Sequence, residues 1–117
     1  MRLKTEIWVK AYIRRCVGAG ASAVVVRHGD DDAGAIFIRV NRLDGTSLLF
    51  GPSPAGLEGA EYDRRWVAYL ERGGVPDAAV EAYLRREAEF DRDLWIIEVE
   101  ARDGEPYLDD WLQHEGR

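Results

Sequence analysis

At 117 residues the chain has room for one domain and one core, and its four Trp, five Tyr and three Phe supply large apolar side chains to fill it. A net charge of −6 argues against a general nucleic-acid binder, which needs surplus Lys and Arg to displace counterions from phosphates. A single cysteine excludes an internal disulfide or a cysteine-built zinc site within one chain. No stretch approaches the roughly 18 apolar residues of a membrane span, and the opening residues lack an apolar signal core, so the expected location is cytoplasmic.

From Glu6 to Val17 the apolar residues Val9, Tyr12, Ile13, Cys16 and Val17 recur at helical spacing. Thr5 can cap this helix, Glu6 and Lys10 form an i,i+4 pair, and Gly18 or Gly20 can end it. Ile7, Val9, Ala11 and Ile13 also alternate as in a strand; helix is preferred because the pattern runs on through Val17 and stops at glycine. Ala23–His28 is a valine-rich strand and Ala35–Arg42 a second, with the polar loop Gly29–Gly34 between them. Asp44-Gly45 suits a two-residue hairpin turn leading into Ser47–Phe50. That turn would oppose Val40 to Leu49 and put both on one face with Ile36 and Ile38. The three strands read as a meander.

Gly51–Gly56 breaks the pattern, and an acidic stretch follows to Asp63. Arg65–Leu70 reads as a fourth strand, although Trp66, Tyr69 and Leu70 would also fit a helical turn. After Pro76-Asp77 a second helix runs to about Phe90, with Val80, Tyr83, Leu84 and Ala88 inward and Glu81–Arg85 as an i,i+4 pair. Leu94–Glu100 is the last strand, with Trp95, Ile97 and Val99 on one face and Ile96, Glu98 and Glu100 on the other. Tyr107, Leu108, Trp111 and Leu112 make a closing helical turn. The predicted fold is α+β: a mostly antiparallel sheet of about five strands, two main helices on one face and a short C-terminal helical turn. No βαβαβ alternation supports a nucleotide-binding sheet.

Few residues offer chemistry. His28 with Asp30, Asp31 and Asp32 has the donor types for a divalent cation, but the spacing fails an EF-hand: the position for its bidentate Glu holds Asn41 or Arg42. A polar loop tip is the simpler reading. Gly51-Pro52-Ser53-Pro54-Ala55 is no nucleophile elbow, because Pro54 has no N–H for an oxyanion. His114 near Asp109 and Asp110 lies in a chain tail, and Cys16 on the apolar stripe reads as a buried, inert thiol. Glu98 and Glu100 could ligate metal or exchange protons, or form the wet face of the sheet and meet Arg39 or Arg65 across strands. Trp8 stands off the helical stripe, and with Trp66 and Trp111 it is a candidate interface anchor.

The runs Glu6-Ile7-Trp8-Val9-Lys10-Ala11, Val24-Val25-Val26-Arg27-His28-Gly29-Asp30, Ala33-Gly34-Ala35-Ile36-Phe37-Ile38 and Asp91–Glu100 resemble the family called domain of unknown function 1491, small single-domain proteins chiefly of alphaproteobacteria. The likeness spans nearly the whole chain, and the Asp-Leu-Trp run with alternating Glu is its more specific part. Arg92 stands where relatives carry proline. The resemblance implies a bacterial cytosolic protein and brings no activity, cofactor or catalytic residue with it.

The expected function is therefore a non-catalytic binding or interaction module, a homo-oligomer or an accessory to another protein, with no cofactor and no membrane or general nucleic-acid partner. The alternative is a small metal-dependent enzyme or ligand binder using His28, Asp30–Asp32, Glu98 and Glu100. A weaker one is an anion or nucleotide binder built from the arginine pairs.

Overall fold

The structure is a computed structural model and describes residues 3–53 and 64–112. Helix α1 spans Thr5–Gly18 and buries Trp8, Val9, Tyr12 and Cys16. Thr5 is its first helical residue rather than its cap. The free N–H groups of Thr5 and Glu6 are met instead by the carbonyls of Asp32 (3.2 Å) and Asp31 (2.9 Å), so the polar loop closes the helix end. The Thr5 hydroxyl donates to the Gly34 carbonyl and accepts from Arg64 Nη2. The Glu6–Lys10 pair forms at 3.5 Å.

Strands β1 (Ser22–Arg27), β2 (Ile36–Asn41), β3 (Thr46–Pro52), β4 (Trp66–Tyr69), the short β5 (Val75–Pro76) and β6 (Trp95–Glu100) make one mixed sheet, with helix α2 (Asp77–Phe90) between β5 and β6. The order is β1-β6-β2-β3-β4, and β5 pairs with β3. Every pairing is antiparallel except β2 with β6. The fold class is thus the expected one, α+β with a mostly antiparallel sheet. The meander is not: β6 lies between β1 and β2, so only β2 and β3 are a hairpin. A one-turn 3₁₀ helix, Asp109–Trp111, stands for the expected closing turn.

The hairpin register also differs from expectation by one residue. Val40 faces Leu48 and Arg39 faces Leu49, and Arg42 N–H donates to the Thr46 carbonyl, leaving the three-residue turn Leu43-Asp44-Gly45. Leu43 and Gly45 both take positive φ (64° and 92°), and the Asn41 and Asp44 side chains accept from the backbone of Leu43 and Thr46. A one-residue slip moves a strand's side chains to the other face. Leu49 accordingly leaves Ile36, Ile38 and Val40 and joins Phe37.

Two cores result, one on each face. Trp8, Val9, Tyr12 and Cys16 of α1 pack on Ile36, Ile38, Val40, Trp95, Ile97 and Val99. Val80 and Leu84 of α2 pack on Phe37, Leu49, Leu94 and Ile96. The two helices therefore sit on opposite faces rather than sharing one. β2 and β6 are central and covered on both sides, as expected of a strand pair that reads as a nearly unbroken apolar run.

Buried Tyr12 donates its hydroxyl to the Pro106 carbonyl, tying the C-terminal segment to α1. Burial, reinforced by Cys16, holds that hydroxyl far above its usual value near 10. The folded state keeps a proton that the unfolded chain releases, so this stability is intact below about pH 10 and falls as pH rises, by up to about 1.4 kcal/mol per unit. Tyr12→Phe should cost about 1 kcal/mol at neutral pH for the lost hydrogen bond and flatten the alkaline decline. Denaturant midpoints for both proteins on either side of the tyrosine range check this; parallel curves would refute it.

Candidate functional site

Three places hold the polar residues of interest. The first is the Gly29–Gly34 loop, which folds back onto the start of β6: Asp30 N–H donates to the Asp93 carbonyl and Trp95 Nε1 donates to the Asp30 carbonyl. A Cβ at Gly29 or Gly34 would lie 2.1 or 2.2 Å from the Asp93 oxygen, so both positions require glycine. His28 lies 4.0 Å from the Trp95 ring and pairs with Asp31 at 2.6 Å. The Asp30 carboxylate accepts from the backbone of Asp32 and Ala33, and Asp32 faces Lys4 at 3.7 Å. The three aspartates thus diverge onto three different partners.

Glu98 belongs elsewhere. Trp95 projects to the α1 face and Glu98 to the α2 face, since side chains alternate along β6. Glu98 reaches Arg39 at 3.6 Å and accepts from Asn41 Nδ2, while Glu100 is exposed at the strand end. The structure brings His28 to Asp31 but does not bring Glu98 and Glu100 to them, and no group of three or more His, Cys, Asp or Glu among the described residues is placed to hold a metal ion.

Arg39 is the second place, expected from sequence only as a cross-strand partner of Glu98 or Glu100. It is 8% exposed. Its Nε donates to Ser47 Oγ, and its guanidinium meets Asp77 (3.3 Å), Glu81 (3.3 Å) and Glu98 (3.6 Å). Ser47 Oγ donates in turn to Asp77. One buried cation thereby draws together β2, β3, β6 and the first turns of α2. The signal in the sequence is a lone arginine inside the apolar run Ile36–Val40. Glu81, expected to pair with Arg85, turns to Arg39 instead.

The third place is a cavity of about 260 Å³ beside this network, lined by Val26, Arg27, Leu84, Ala88, Ile96 and Arg85 and bounded by Arg39, Glu81 and Glu98. It lies against β1, an edge strand whose outer valines, Val24, Val25 and Val26, are 54%, 39% and 58% exposed.

The expected tryptophan anchors fare differently. Trp8 and Trp66 are 3% and 2% exposed, with rings stacked 4.3 Å apart, so both serve the core rather than a surface. Trp8 also stacks on Tyr12. A ring this large reaches the core from a position one step off the stripe. Trp111 is half-buried, edge-on to Trp8 and under the Arg15 guanidinium at 3.9 Å. Buried Cys16 has its thiol pushed up chiefly by desolvation, as an inert thiol should. Asp109 meets Arg15 at 3.3 Å; His114 and the acidic stretch to Asp63 lie outside the described residues.

Arg39→Met would leave Asp77, Glu81 and Glu98 converging without their cation. The expected loss is about 3 kcal/mol, the low end for breaking a buried pair, because all three carboxylates are partly exposed. Adding Glu81→Gln should recover part of it. Urea unfolding of the single and double variants measures both effects, and a single-variant loss within the surface range of about 0.5 kcal/mol would show the network to be merely solvated.

Comparison with known proteins accords with this picture. A family model described as "Protein of unknown function (DUF1491)" matches residues 3–109. The crystal structure of a DUF1491 family protein from Caulobacter crescentus is 36% identical, covers 97% of this chain and 99% of its own, and superposes with a TM-score of 0.78. The NMR structure of a DUF1491 family protein from the same organism is 37% identical over 97% of this chain and 98% of its own, with a TM-score of 0.77. The solution structure of protein Atu0922 from A. tumefaciens is 42% identical over 86% and 87% of the two chains, with a TM-score of 0.75. No curated protein matches. No helix among the described residues is long and apolar enough to cross a membrane. With a family model spanning nearly its whole length and relatives of like fold in two alphaproteobacteria, the chain belongs to the DUF1491 family.

Proposed function

We propose that this protein is a non-catalytic cytosolic interaction module that pairs with a second copy of itself along the free edge of β1. The observation that carries the reading is the bare edge itself. From Ser22 to Val26 the strand has no charge and no proline, and Val24, Val25 and Val26 are all left exposed, alternating between its two faces. Edge strands are ordinarily guarded by lysine, proline or a covering element, and this one has only the irregularity between Val25 and Arg27. An uncharged strand can oppose its own copy in antiparallel register without setting like charges together, which suits a two-fold interface.

The non-catalytic part rests on where the reactive groups are. Among the described residues, Tyr12, Tyr69, Tyr83, Tyr107 and the Cys16 thiol have proton affinities pushed up and away from neutrality, chiefly by desolvation, and Asp44 is lowered by its hydrogen bonds to Thr46 in an exposed turn. Acid–base catalysis favours affinities drawn toward neutral pH. His28 and the carboxylates of the loop and of the Arg39 network already have partners within the fold, which supports a structural role for them.

Sedimentation equilibrium of the full chain from micromolar to millimolar concentration tests the pairing. Mass should rise toward that of a dimer, and Val24→Lys should weaken association at least tenfold with an unchanged circular dichroism spectrum. Phe90→Ser, which alters an 89% exposed ring at the end of α2, should leave it intact. A wild-type mass that stays monomeric throughout, or association that survives Val24→Lys, would overturn the proposal.

A further inference from the structure

The cavity between α2 and the β1–β6 side of the sheet opens on the sheet's face, so pairing along the rim of β1 does not use it. Val26, Leu84, Ala88 and Ile96 form its apolar lining, and about 260 Å³ is small beside the roughly 300–1,000 Å³ of sites for drug-sized ligands. A nucleotide is too large for it; a short hydrocarbon chain is not.

Two cations border this apolar space without a carboxylate. Arg27 donates from Nη2 to the Arg92 carbonyl at 3.2 Å, and its Nε has no acceptor. Arg85 would ordinarily pair with Glu81 one helical turn back, but Glu81 is engaged with Arg39. Among the described residues neither arginine has an ion pair. The carboxylates on the cavity's other side, Glu81 and Glu98, both face Arg39 and would turn an anionic group away from themselves. A ligand that satisfies all of this carries one compact anion at the end of an apolar chain. Guanidinium groups suit a carboxylate in particular, because their planar donors match its two oxygens. An amine would be repelled, and a bare inorganic anion would gain nothing from the apolar wall.

We propose that this cavity binds a short unbranched carboxylate of the medium-chain fatty-acid class. Its head lies on Arg27 and Arg85, and its chain lies against Leu84, Ala88, Ile96 and Val26. The assignment stands whether or not two copies pair along β1.

Methyl NMR titration of the full chain with octanoate, octanol and acetate tests it. Octanoate should give saturable shifts confined to Val26, Leu84, Ala88 and Ile96. Affinity should climb about fourfold per methylene from butanoate upward, as burial of each group requires, until the cavity is filled. Octanol should bind at least tenfold more weakly, and acetate should not register. Arg85→Gln, a change at an exposed position, should bring octanoate toward octanol, and Ala88→Leu should fill the space and abolish the shifts. No saturable shift at millimolar octanoate, equal binding of octanol, or shifts centred elsewhere would overturn the proposal.

Discussion

The position of β6 governs everything else in this molecule. Lying parallel to β2 and antiparallel to β1, the strand Trp95–Glu100 separates two elements that follow one another in sequence. Its alternation then feeds both cores at once. Trp95, Ile97 and Val99 go under α1, while Ile96 goes under α2 together with Leu94 just before the strand. The same insertion aligns Glu98 with Arg39 across the β2–β6 pair, and so supplies one of the three carboxylates that make a buried guanidinium tolerable. It also leaves β1 with a partner on one side only. A central sheet, a charged pin and an exposed edge all follow from one strand placement.

Much of this was legible from residue order and some of it was not, for a definable reason. Periodicity and punctuation are local, so α1, α2 and the main strands stood out in the sequence to within a residue or two of their ends. Pairing is not local. Nothing between Ser22 and Asn41 says that the far-downstream strand Trp95–Glu100 separates β1 from β2. The only local trace is compositional: Phe37 and Ile96 place large apolar groups on the face that otherwise carries Arg39 and Glu98, which is how a strand covered on both sides reads. The hairpin went astray for a different reason. Asp44-Gly45 invites a two-residue turn, and the observed turn also requires Leu43 at φ 64°, a conformation unusual for leucine, held by the Asn41 carboxamide. Trp8 escapes a stripe argument because such arguments follow Cα positions, whereas an indole reaches well beyond its own.

The candidate site was legible in its members and not in its grouping. His28, the three aspartates, Glu98 and Glu100 are the residues a reader would collect, and in the structure they fall on two faces with different partners. Arg39 shows why. A guanidinium on a residue only 8% exposed has lost most of its water, and several carboxylates and a hydroxyl must replace that solvation. Asp77, Glu81, Glu98 and Ser47 are taken up by that demand. In a domain this small, stabilising one buried cation withdraws the acids from other work.

The two helices do not cover their faces equally. On the α1 side the chain adds a second layer beyond the helix: Tyr107, Leu108, Trp111 and Leu112 pack onto the same core, with Tyr12 and Arg15 hydrogen-bonding to the backbone of residues 106–108. On the α2 side the described residues offer no such supplement. A helix is about 10 Å across and strands are spaced near 4.8 Å, so one helix shields about two strands of a five-strand width. Val80 and Leu84 settle over Phe37, Leu49 and Ile96, and the strip toward β1 stays open. The cavity and the exposed Val24 are therefore neighbours for one geometric cause, because both lie where α2 stops short of the sheet's edge. An apolar margin of this kind, left beside unpaired arginines, is what a binding surface requires and what a finished core would have closed.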